Sequence, residues 1–431
     1  MISKIDWRRP YPALRRQQEP FLARQLRSVW ERSPFYQRLW KSPPSPERFE
    51  AMPLVTKADL HGALDEGAYL GSNLAWPMED VAHIHTSSGT SGKPTYFALT
   101  TRDYAAWMRT FIRGFELAGI RRGDRVLHAF AMSRGYAGGV PMIDALEEMG
   151  CVALPIGAEA GSVRLVDAVG RLRPDVIYAS PSMLRRLGEA YRDETTADPS
   201  GTSVRLVVTG GEPGAGDPES KRELRELWGA EVTEAGGGTD VCPLMVVECA
   251  LHAGLHFLAG DDVLFELVDP DSGRVLEVEG EAEGEIVYTH LFREAHPVVR
   301  MRHGDIVRLD VTPCECGIGA PRIRFRGRSD DMLIVRGVKV FPSSVQAVAV
   351  QFRPALTGFV AIRRRAGLSS VDGPLRVVCE SASHPAPDSL REAFERRARD
   401  VLGVRVECEL VAAGTLAREG GQKGTWVLTD E

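Results

Sequence analysis

A loop rich in glycine and small hydroxylated residues is the clearest chemical feature of the sequence. Residues 86–94 read Thr-Ser-Ser-Gly-Thr-Ser-Gly-Lys-Pro. The backbone N–H groups and hydroxyls of such a loop can surround phosphate oxygens, and its lysine adds a positive charge. The chain has only seven lysines among 53 basic residues, so each lysine position is informative. The loop therefore predicts a site for a phosphorylated ligand.

The P-loop of kinases and ATPases is one alternative for this segment. That motif needs four residues between its first glycine and its Gly-Lys pair, followed by Ser or Thr. Here two residues separate Gly89 from Gly92, and Pro94 follows Lys93, where it hinders a helix. An ordinary Ser/Gly surface turn is the other alternative, and the nine-residue length of the loop argues against it.

Cysteines and histidines form a second cluster of chemical interest. Cys314 and Cys316 lie in a C-x-C-G turn, and Cys249, His252 and His256 precede it. Zinc prefers four sulfur or nitrogen ligands in a closed structural site. The residues alone leave a zinc site and ordinary buried thiols open. Seven cysteines are an odd number in a long chain, which argues against a disulfide framework.

Length and composition indicate a soluble globular protein. With 431 residues the chain predicts about two to three domains, and 43% hydrophobic and 26% charged residues are ordinary values. A net charge of −6 argues against a nucleic-acid partner. No apolar run approaches the ~18 residues of a membrane span, and the N-terminal residues do not resemble a signal peptide. We therefore expect a cytoplasmic protein without a membrane partner.

The pattern of apolar residues predicts the elements that must position these loops. Between about 80 and 330, short β-branched runs alternate with helical segments, which indicates a mostly parallel α/β sheet. Strands of alternating polarity over 255–312 indicate an antiparallel part. The last 100 residues read strand–helix–strand–strand–helix–strand, with 332–341 as the first strand. We expect a large domain over 1–329 and a small one over 330–431.

Several segments together resemble one protein family. The 86–94 loop resembles the phosphate loop of the adenylate-forming superfamily of acyl- and aryl-CoA synthetases. Residues 33–40, 52–60, 210–213 and above all 326–345 are similar in order and spacing to the phenylacetate-CoA ligase family. The resemblance covers essentially the whole chain. It implies the adenylate-forming ligase fold, with a large N-terminal α/β domain that includes a small β-rich part, and a small mobile C-terminal α+β domain.

The resemblance also implies a two-step reaction. A carboxylate attacks the α-phosphate of ATP to form acyl-AMP, and the thiol of coenzyme A then displaces AMP. The implied cofactors are ATP, Mg²⁺ and coenzyme A, and the implied substrate is a small aromatic acid such as phenylacetate, benzoate or anthranilate. Three points stay open: a carrier-protein phosphopantetheine as acceptor, a homodimer as the assembly, and a non-catalytic, zinc-stabilised binding protein.

The catalytic residues implied by the resemblance are Lys423, Thr239 and Asp240. Lys423 lies in an Arg-Glu-Gly-Gly-Gln-Lys loop that is similar to the family's RxxGK loop, whose lysine bridges the carboxylate and the α-phosphate. Thr239 matches a phosphate-binding hydroxyl, and Asp240 matches an acidic Mg²⁺ ligand. Gly236 departs from the family, which has a tyrosine there beside adenine.

The remaining site residues also follow from the resemblance. Asp305 is expected at the ribose, Arg328 near the ribose or phosphates, and the Arg336-Gly337 loop at the thioester step. Further nucleotide-binding residues are Ser87, Ser88, Gly89, Thr90, Ser91, Gly92, Lys93, Gly211, Glu212, Pro213, Gly236, Gly237 and Gly238. The acid pocket is expected at Tyr136, Gly138, Gly139, Gly210 and Ala235. Relatives with a similar C-x-C-G turn imply structural zinc at Cys249, His256, Cys314 and Cys316, with His252 as the alternative histidine.

Overall fold

A computed structural model gives the architecture of the chain. It describes residues 5–66, 70–86, 95–133, 135–212, 215–329, 333–336, 338–365, 370–371, 373–416, 418–419, 423–424 and 427–430. The α-helices are α1 (Tyr11–Arg32), α2 (Pro34–Trp40), α3 (Lys57–Leu64), α4 (Thr101–Ala118), α5 (Val140–Glu148), α6 (Gly161–Leu172), α7 (Pro181–Thr195), α8 (Pro218–Trp228), α9 (Pro342–Val350) and α10 (Asp388–Leu402). None of the described helices combines the length and the apolar character that a membrane crossing requires.

The strands account for much of the remainder. They are β1 (Val81–Thr86), β2 (Tyr96–Thr100), β3 (Arg125–His128), β4 (Val152–Leu154), β5 (Val176–Ala179), β6 (Leu206–Thr209), β7 (Glu231–Gly238), β8 (Cys242–Glu248), β9 (Leu255–Phe257), β10 (Val263–Val268), β11 (Glu281–His290), β12 (Met301–Asp310), β13 (Arg322–Arg328), β14 (Leu333–Val335), β15 (Val338–Val340), β16 (Leu356–Arg365), β17 (Ser370–Val371), β18 (Leu375–Ser381), β19 (Val406–Ala412), β20 (Arg418–Glu419), β21 (Lys423–Gly424) and β22 (Val427–Asp430).

One eleven-stranded sheet organises the N-terminal part. Its order is β10-β11-β12-β13-β9-β8-β7-β6-β5-β3-β4. The five strands at one end of this order, β4, β3, β5, β6 and β7, pair in parallel. The pairs from β7 to the other end, through β8, β9, β13, β12 and β11 to β10, are antiparallel. β5 and β6 are buried along their whole length, as expected for parallel strands covered by helices on both faces. The predicted α/β fold class with a small β-rich part is confirmed.

Helix α4 shows how local sequence fixes an element and ties it to the sheet. Thr100 and Asp103 form a capping box at its N-terminus, and Gly119 ends it with a left-handed φ of 97°. The Asp103 carboxylate also accepts hydrogen bonds from the backbone N–H groups of Glu294 and Ala295, at 2.8 and 3.0 Å. One carboxylate therefore caps the helix and fixes the loop that leads into β12.

The C-terminal part has its own sheet and core. β19, β18, β16 and β22 form a four-stranded sheet, and a separate cluster of buried apolar side chains lies between α9, α10 and these strands. The single strand predicted over 332–341 is wrong in one respect. β14 and β15 are instead an antiparallel pair, because Arg336 between them adopts a left-handed φ of 48°, which reverses the chain.

A buried histidine generates a prediction on acid stability. Burial lowers the pKa of His128 on β3 to about 4, whereas an unfolded histidine titrates near 6.5. Between these values the unfolded state binds more protons, so the free energy of unfolding falls as pH falls. From pH 7 to pH 5, the free energy of unfolding of wild type should therefore fall by about 2 kcal/mol more than that of His128→Asn. Urea unfolding at both values measures it.

The exposed His384 provides the matched control for this measurement. Its replacement by asparagine should leave the pH dependence of wild type intact. A His128→Asn variant with the same pH dependence as wild type would contradict a buried neutral imidazole.

Candidate active site

Asp240 lies directly after β7 and has a cation beside it. Its side chain is 5% exposed, and the Nζ of Lys57 lies 3.1 Å from its Oδ2. Lys57 is the first residue of α3 and is itself 38% exposed. Thr239 is half-buried next to Asp240. Lys57 was missed as a site residue, although the scarcity of lysine could have singled it out within the 52–60 segment.

Asp305 on β12 lies between two basic side chains. Its Oδ2 is 2.6 Å from Nδ1 of His303, and its Oδ1 is 3.4 Å from Nη1 of Arg328. Asp305 and Arg328 are also direct partners in the β12–β13 pairing. A Cβ atom on Gly238 would lie 2.5 Å from Nε2 of His303. The structure therefore brings Asp305 and Arg328 together with the glycine-rich end of β7.

The carboxyl ends of β6 and β7 make a second close approach. A Cβ atom on Gly210 would lie 1.8 Å from the carbonyl oxygen of Ala235, so only glycine fits there. Two residues later, the Glu212 carboxylate accepts hydrogen bonds from the backbone N–H and the hydroxyl of Ser182, at 3.2 and 2.7 Å. Glu212 thus anchors the turn to the start of α7.

A buried ion pair between Glu248 and Lys221 is hydrogen-bonded to the backbone of β7. The Glu248 carboxylate lies 2.5 Å from Nζ of Lys221 on α8 and accepts a hydrogen bond from the backbone N–H of Glu234 at 3.0 Å. Burial raises the pKa of Glu234 to about 7. The position of the second half of β7, and of the loop that follows it, therefore depends on a network that is buried from solvent.

Aromatic side chains lie beside the glycines that are predicted to edge the acid pocket. A Cβ atom on Gly138 would lie 2.5 Å from the Tyr136 ring, so this ring lies directly against the glycine backbone. Nε2 of His128 donates a hydrogen bond to the Gly138 carbonyl at 2.9 Å. The rings of Phe130 and Tyr178 pack with centroids 4.7 Å apart. Gly139 is buried beside this group.

Three cysteines and one histidine converge near the ends of β8 and β9. The ligand atoms of Cys249, His256, Cys314 and Cys316 all lie within 4.8 Å of one another. Nδ1 of His256 donates to the Ala320 carbonyl at 3.2 Å, and its Nε2 lies 3.3 Å from the Cys316 sulfur. This tautomer leaves a nitrogen lone pair facing three sulfur atoms, which is a donor set that suits zinc.

His252 does not join this cluster. Its Nδ1 lies 3.2 Å from Oε2 of Glu248, and its backbone has a left-handed φ of 51°. Of the two histidines that the sequence left open, the structure therefore brings His256 to the sulfur atoms.

The surroundings of Cys314 act on its thiol in two directions. Burial opposes ionisation and raises its pKa, whereas hydrogen bonds from the backbone and side chain of Cys316 and from Arg322 lower it. The pKa of Cys314 therefore lies below the ordinary value.

Comparisons with known proteins decide the family. A model of the family described as AMP-binding enzyme matches residues 37–290. The chain belongs to the AMP-binding enzyme family. It is 30% identical to a phenylacetate-coenzyme A ligase of Thermus thermophilus over 97% of each chain. It is 29% identical to a phenylacetate-coenzyme A ligase of Escherichia coli over 92% of this chain and 90% of that one.

A solved structure of 2-hydroxyisobutyryl-CoA ligase is similar over nearly the whole chain. In its postadenylation state with 2-HIB-AMP, the TM-score is 0.87 at 29% identity, over 98% of this chain and 91% of that one. In the thioesterification state of that enzyme, with 2-HIB-AMP and CoA, the TM-score is 0.70. This AMP-binding enzyme is thus more similar to the postadenylation structure than to the thioesterification structure.

Some predicted residues of this AMP-binding enzyme cannot be placed. The phosphate loop from Ser87 to Lys93, together with Pro213 and Gly337, lies outside the described residues. Lys423 is described by its backbone alone, in β21, which pairs with β20. Arg336 is exposed between β14 and β15. Their roles stay predictions.

The tight contact at Gly210 predicts a specific loss of stability. In Gly210→Ala the new methyl group would meet the Ala235 carbonyl, so β6 and β7 must separate. We expect the free energy of unfolding to fall by about 1–3 kcal/mol, measured by urea unfolding.

Gly201 offers a control, because a Cβ atom there meets nothing within 4 Å. Gly201→Ala should change stability by less than about 0.5 kcal/mol. If Gly210→Ala and Gly201→Ala have the same free energy of unfolding, β6 and β7 can separate without loss of stability, and the prediction is contradicted.

Proposed function

We propose that this protein is an ATP-dependent acid–thiol ligase that activates an aromatic carboxylic acid as acyl-AMP and transfers the acyl group to coenzyme A. The observation that carries the proposal is the convergence of Thr239, Asp240, Asp305 and Arg328 on the glycine-rich end of β7, in a chain of the AMP-binding family. The curated relatives named above are phenylacetate-coenzyme A ligases.

The reaction proceeds in two steps. In the first, a carboxylate oxygen attacks the α-phosphorus of ATP, the bond to the β-phosphate oxygen breaks, and pyrophosphate leaves. In the second, the thiol sulfur attacks the acyl carbonyl, the bond between this carbon and the phosphate oxygen breaks, and AMP leaves with the thiol proton released. Anions meet in both steps, so positive groups must lie close to the reacting atoms.

Each residue then has a task that suits its chemistry. Asp305 accepts hydrogen bonds from the ribose hydroxyls, since a carboxylate offers several lone pairs. Arg328 lies on its other side and neutralises phosphate charge. Lys423 contacts the attacking carboxylate and the α-phosphate. Asp240, a buried carboxylate at the loop, would hold Mg²⁺, which supplies charge neutralisation at the phosphate oxygens.

The acid is proposed to lie against Tyr136, Gly138, Gly139 and the 210 and 235 backbone. The aromatic side chains around this region suit a ring-sized apolar substrate. The likeness to 2-hydroxyisobutyryl-CoA ligase makes a small hydroxy acid the second candidate. Phenylacetate, benzoate, anthranilate and 2-hydroxyisobutyrate are therefore the panel to test.

The small domain over 330–431 is proposed to rotate between the two steps, so that Lys423 serves the first and the Arg336-Gly337 loop serves the second. In the present arrangement Arg353 of the C-terminal part pairs with Glu223 on α8, which also pairs with Arg185 at 2.9 Å. This contact between the parts must break when the domain turns.

Release of pyrophosphate with the acid panel, with and without coenzyme A, tests the function. We expect one acid to give rapid release, and Lys423→Ala to slow acyl-AMP formation by about 100-fold or more because a charge at the reacting atoms is lost. Lys41→Ala is the matched control, since Lys41 is an exposed lysine at the end of α2 and is not among the predicted site residues.

No release with any acid, or an unchanged Lys423→Ala variant, would overturn the proposal. An adenylate that forms but is not passed to coenzyme A would instead favour a carrier-protein thiol as the acceptor.

We also propose that Cys249, His256, Cys314 and Cys316 hold a structural zinc ion. The four ligand atoms are mutually close, and three of the four residues are buried. Four protein ligands complete a tetrahedral site, so no position is left for catalysis. The ion would connect β9 and its neighbour β8 to the turn before β13.

Metal analysis of the purified protein tests this site. We expect about one equivalent of zinc in wild type, and a loss of zinc with a lower melting temperature in Cys316→Ser. Cys151→Ser, a half-buried cysteine outside the cluster, should retain both. Less than about half an equivalent of zinc in wild type would contradict the site.

A further inference from the structure

The nucleotide site lacks a side chain at a position where one is expected. Gly236 lies in β7, just before the loop that carries Thr239 and Asp240, and the family resemblance places a tyrosine there beside adenine. Without that ring, the base would face bare backbone on this side. An inference about what replaces it rests on the proposed nucleotide site.

An aromatic ring from another strand lies at this gap. A Cβ atom on Gly236 would lie 3.6 Å from Cε2 of Phe325 and 3.4 Å from Cγ2 of Val246. Phe325 lies in β13 and is 38% exposed, which is unusual for so large an apolar side chain. The ring therefore stands open to solvent beside the glycine.

The strand pairing places Phe325 on the same face as the ribose-binding pair. Phe325 is paired with Val307, and Arg328 is paired with Asp305, with a register shift between Ile306 and Val307. Directly paired residues project to the same face of a sheet. In a regular strand, residues 325 and 328 would project to opposite faces, because they are three positions apart. The register shift adds one residue to β13 between them, so both side chains project to the same face.

The spacing along the strands fits one nucleotide. Asp305 and Val307 are two residues apart, so Asp305 lies about 7 Å along β12 from the partner of Phe325. This is the scale of the distance from a ribose to its base. A single ligand can therefore reach the carboxylate with its ribose and the ring with its base.

We propose that Phe325 supplies the stacking surface for adenine that residue 236 does not. The base-binding aromatic group has thus moved from β7 to β13. The two positions are neighbours, because the Cβ of a residue at 236 would contact the Phe325 ring at 3.6 Å. An aromatic side chain at 236 would therefore compete with this ring for the space beside the base. An aromatic side chain at 236 should therefore bind the base only when Phe325 is truncated.

Calorimetric titration with AMP and with ribose 5-phosphate tests the proposal without depending on turnover. We expect Phe325→Ala to weaken AMP binding by about tenfold, the scale of base–aromatic stacking, and Phe325→Leu to weaken it less. Binding of ribose 5-phosphate, which has no base, should be unchanged. Val163→Ala, at an exposed apolar residue of α6, is the control and should bind both ligands as wild type does.

The double variant Gly236→Tyr/Phe325→Ala provides the sharper measurement. It should recover most of the AMP affinity lost in Phe325→Ala, whereas Gly236→Tyr alone should bind AMP more weakly than wild type. Unchanged AMP affinity in Phe325→Ala, or equal losses for AMP and ribose 5-phosphate, would overturn the stacking role. A wild type that binds AMP through Phe325 but activates no acid would overturn the proposed function alone, and a wild type that binds no AMP would overturn both.

Discussion

The close approach of the turn after β6 to the backbone of β7 is the constraint on which the site depends. Residue 210 can carry no side chain, because its Cβ atom would meet the Ala235 carbonyl at 1.8 Å. The turn that begins at Gly210 therefore packs directly on β7 just before its glycine-rich end, and these two backbone segments form the wall of the site. Charged groups reach this wall from elsewhere, namely from α3, β12 and β13. The glycine content of the chain, 43 of 431 residues, is in part a consequence of this arrangement.

Asp240 and Asp305 are each matched with a cationic side chain from another element. Asp240 faces Lys57, and Asp305 lies between His303 and Arg328. A buried carboxylate without such a partner would be costly, so each pair offsets the cost of burying a charge, and the pairs connect distant parts of the chain. They also arrange the charges before a nucleotide arrives, which lowers the cost of binding an anionic ligand.

The sequence allowed prediction of the fold class and of the segments that are proposed to form the site, because local sequence patterns carry both. Buried β-branched runs such as 206–209 and the 326–345 segment need no tertiary information to be recognised. The Lys57–Asp240 pair joins residues 183 positions apart, and no spacing rule relates them. The choice of His256 over His252 likewise depends on the register of β9 with β13. The residues around Arg336 read as one continuous strand by their apolar pattern, so only the family resemblance indicated a loop at Arg336-Gly337.

Transfer of oxygen from the acid to AMP tests the central claim most directly. The carboxylate oxygen that attacks the α-phosphorus stays on phosphorus when the thiol displaces AMP. An acid labelled with ¹⁸O in both carboxylate oxygens should therefore give AMP that carries one ¹⁸O atom, together with unlabelled pyrophosphate, as read by mass spectrometry. Unlabelled AMP, or label found in inorganic phosphate, would contradict activation of the acid as acyl-AMP.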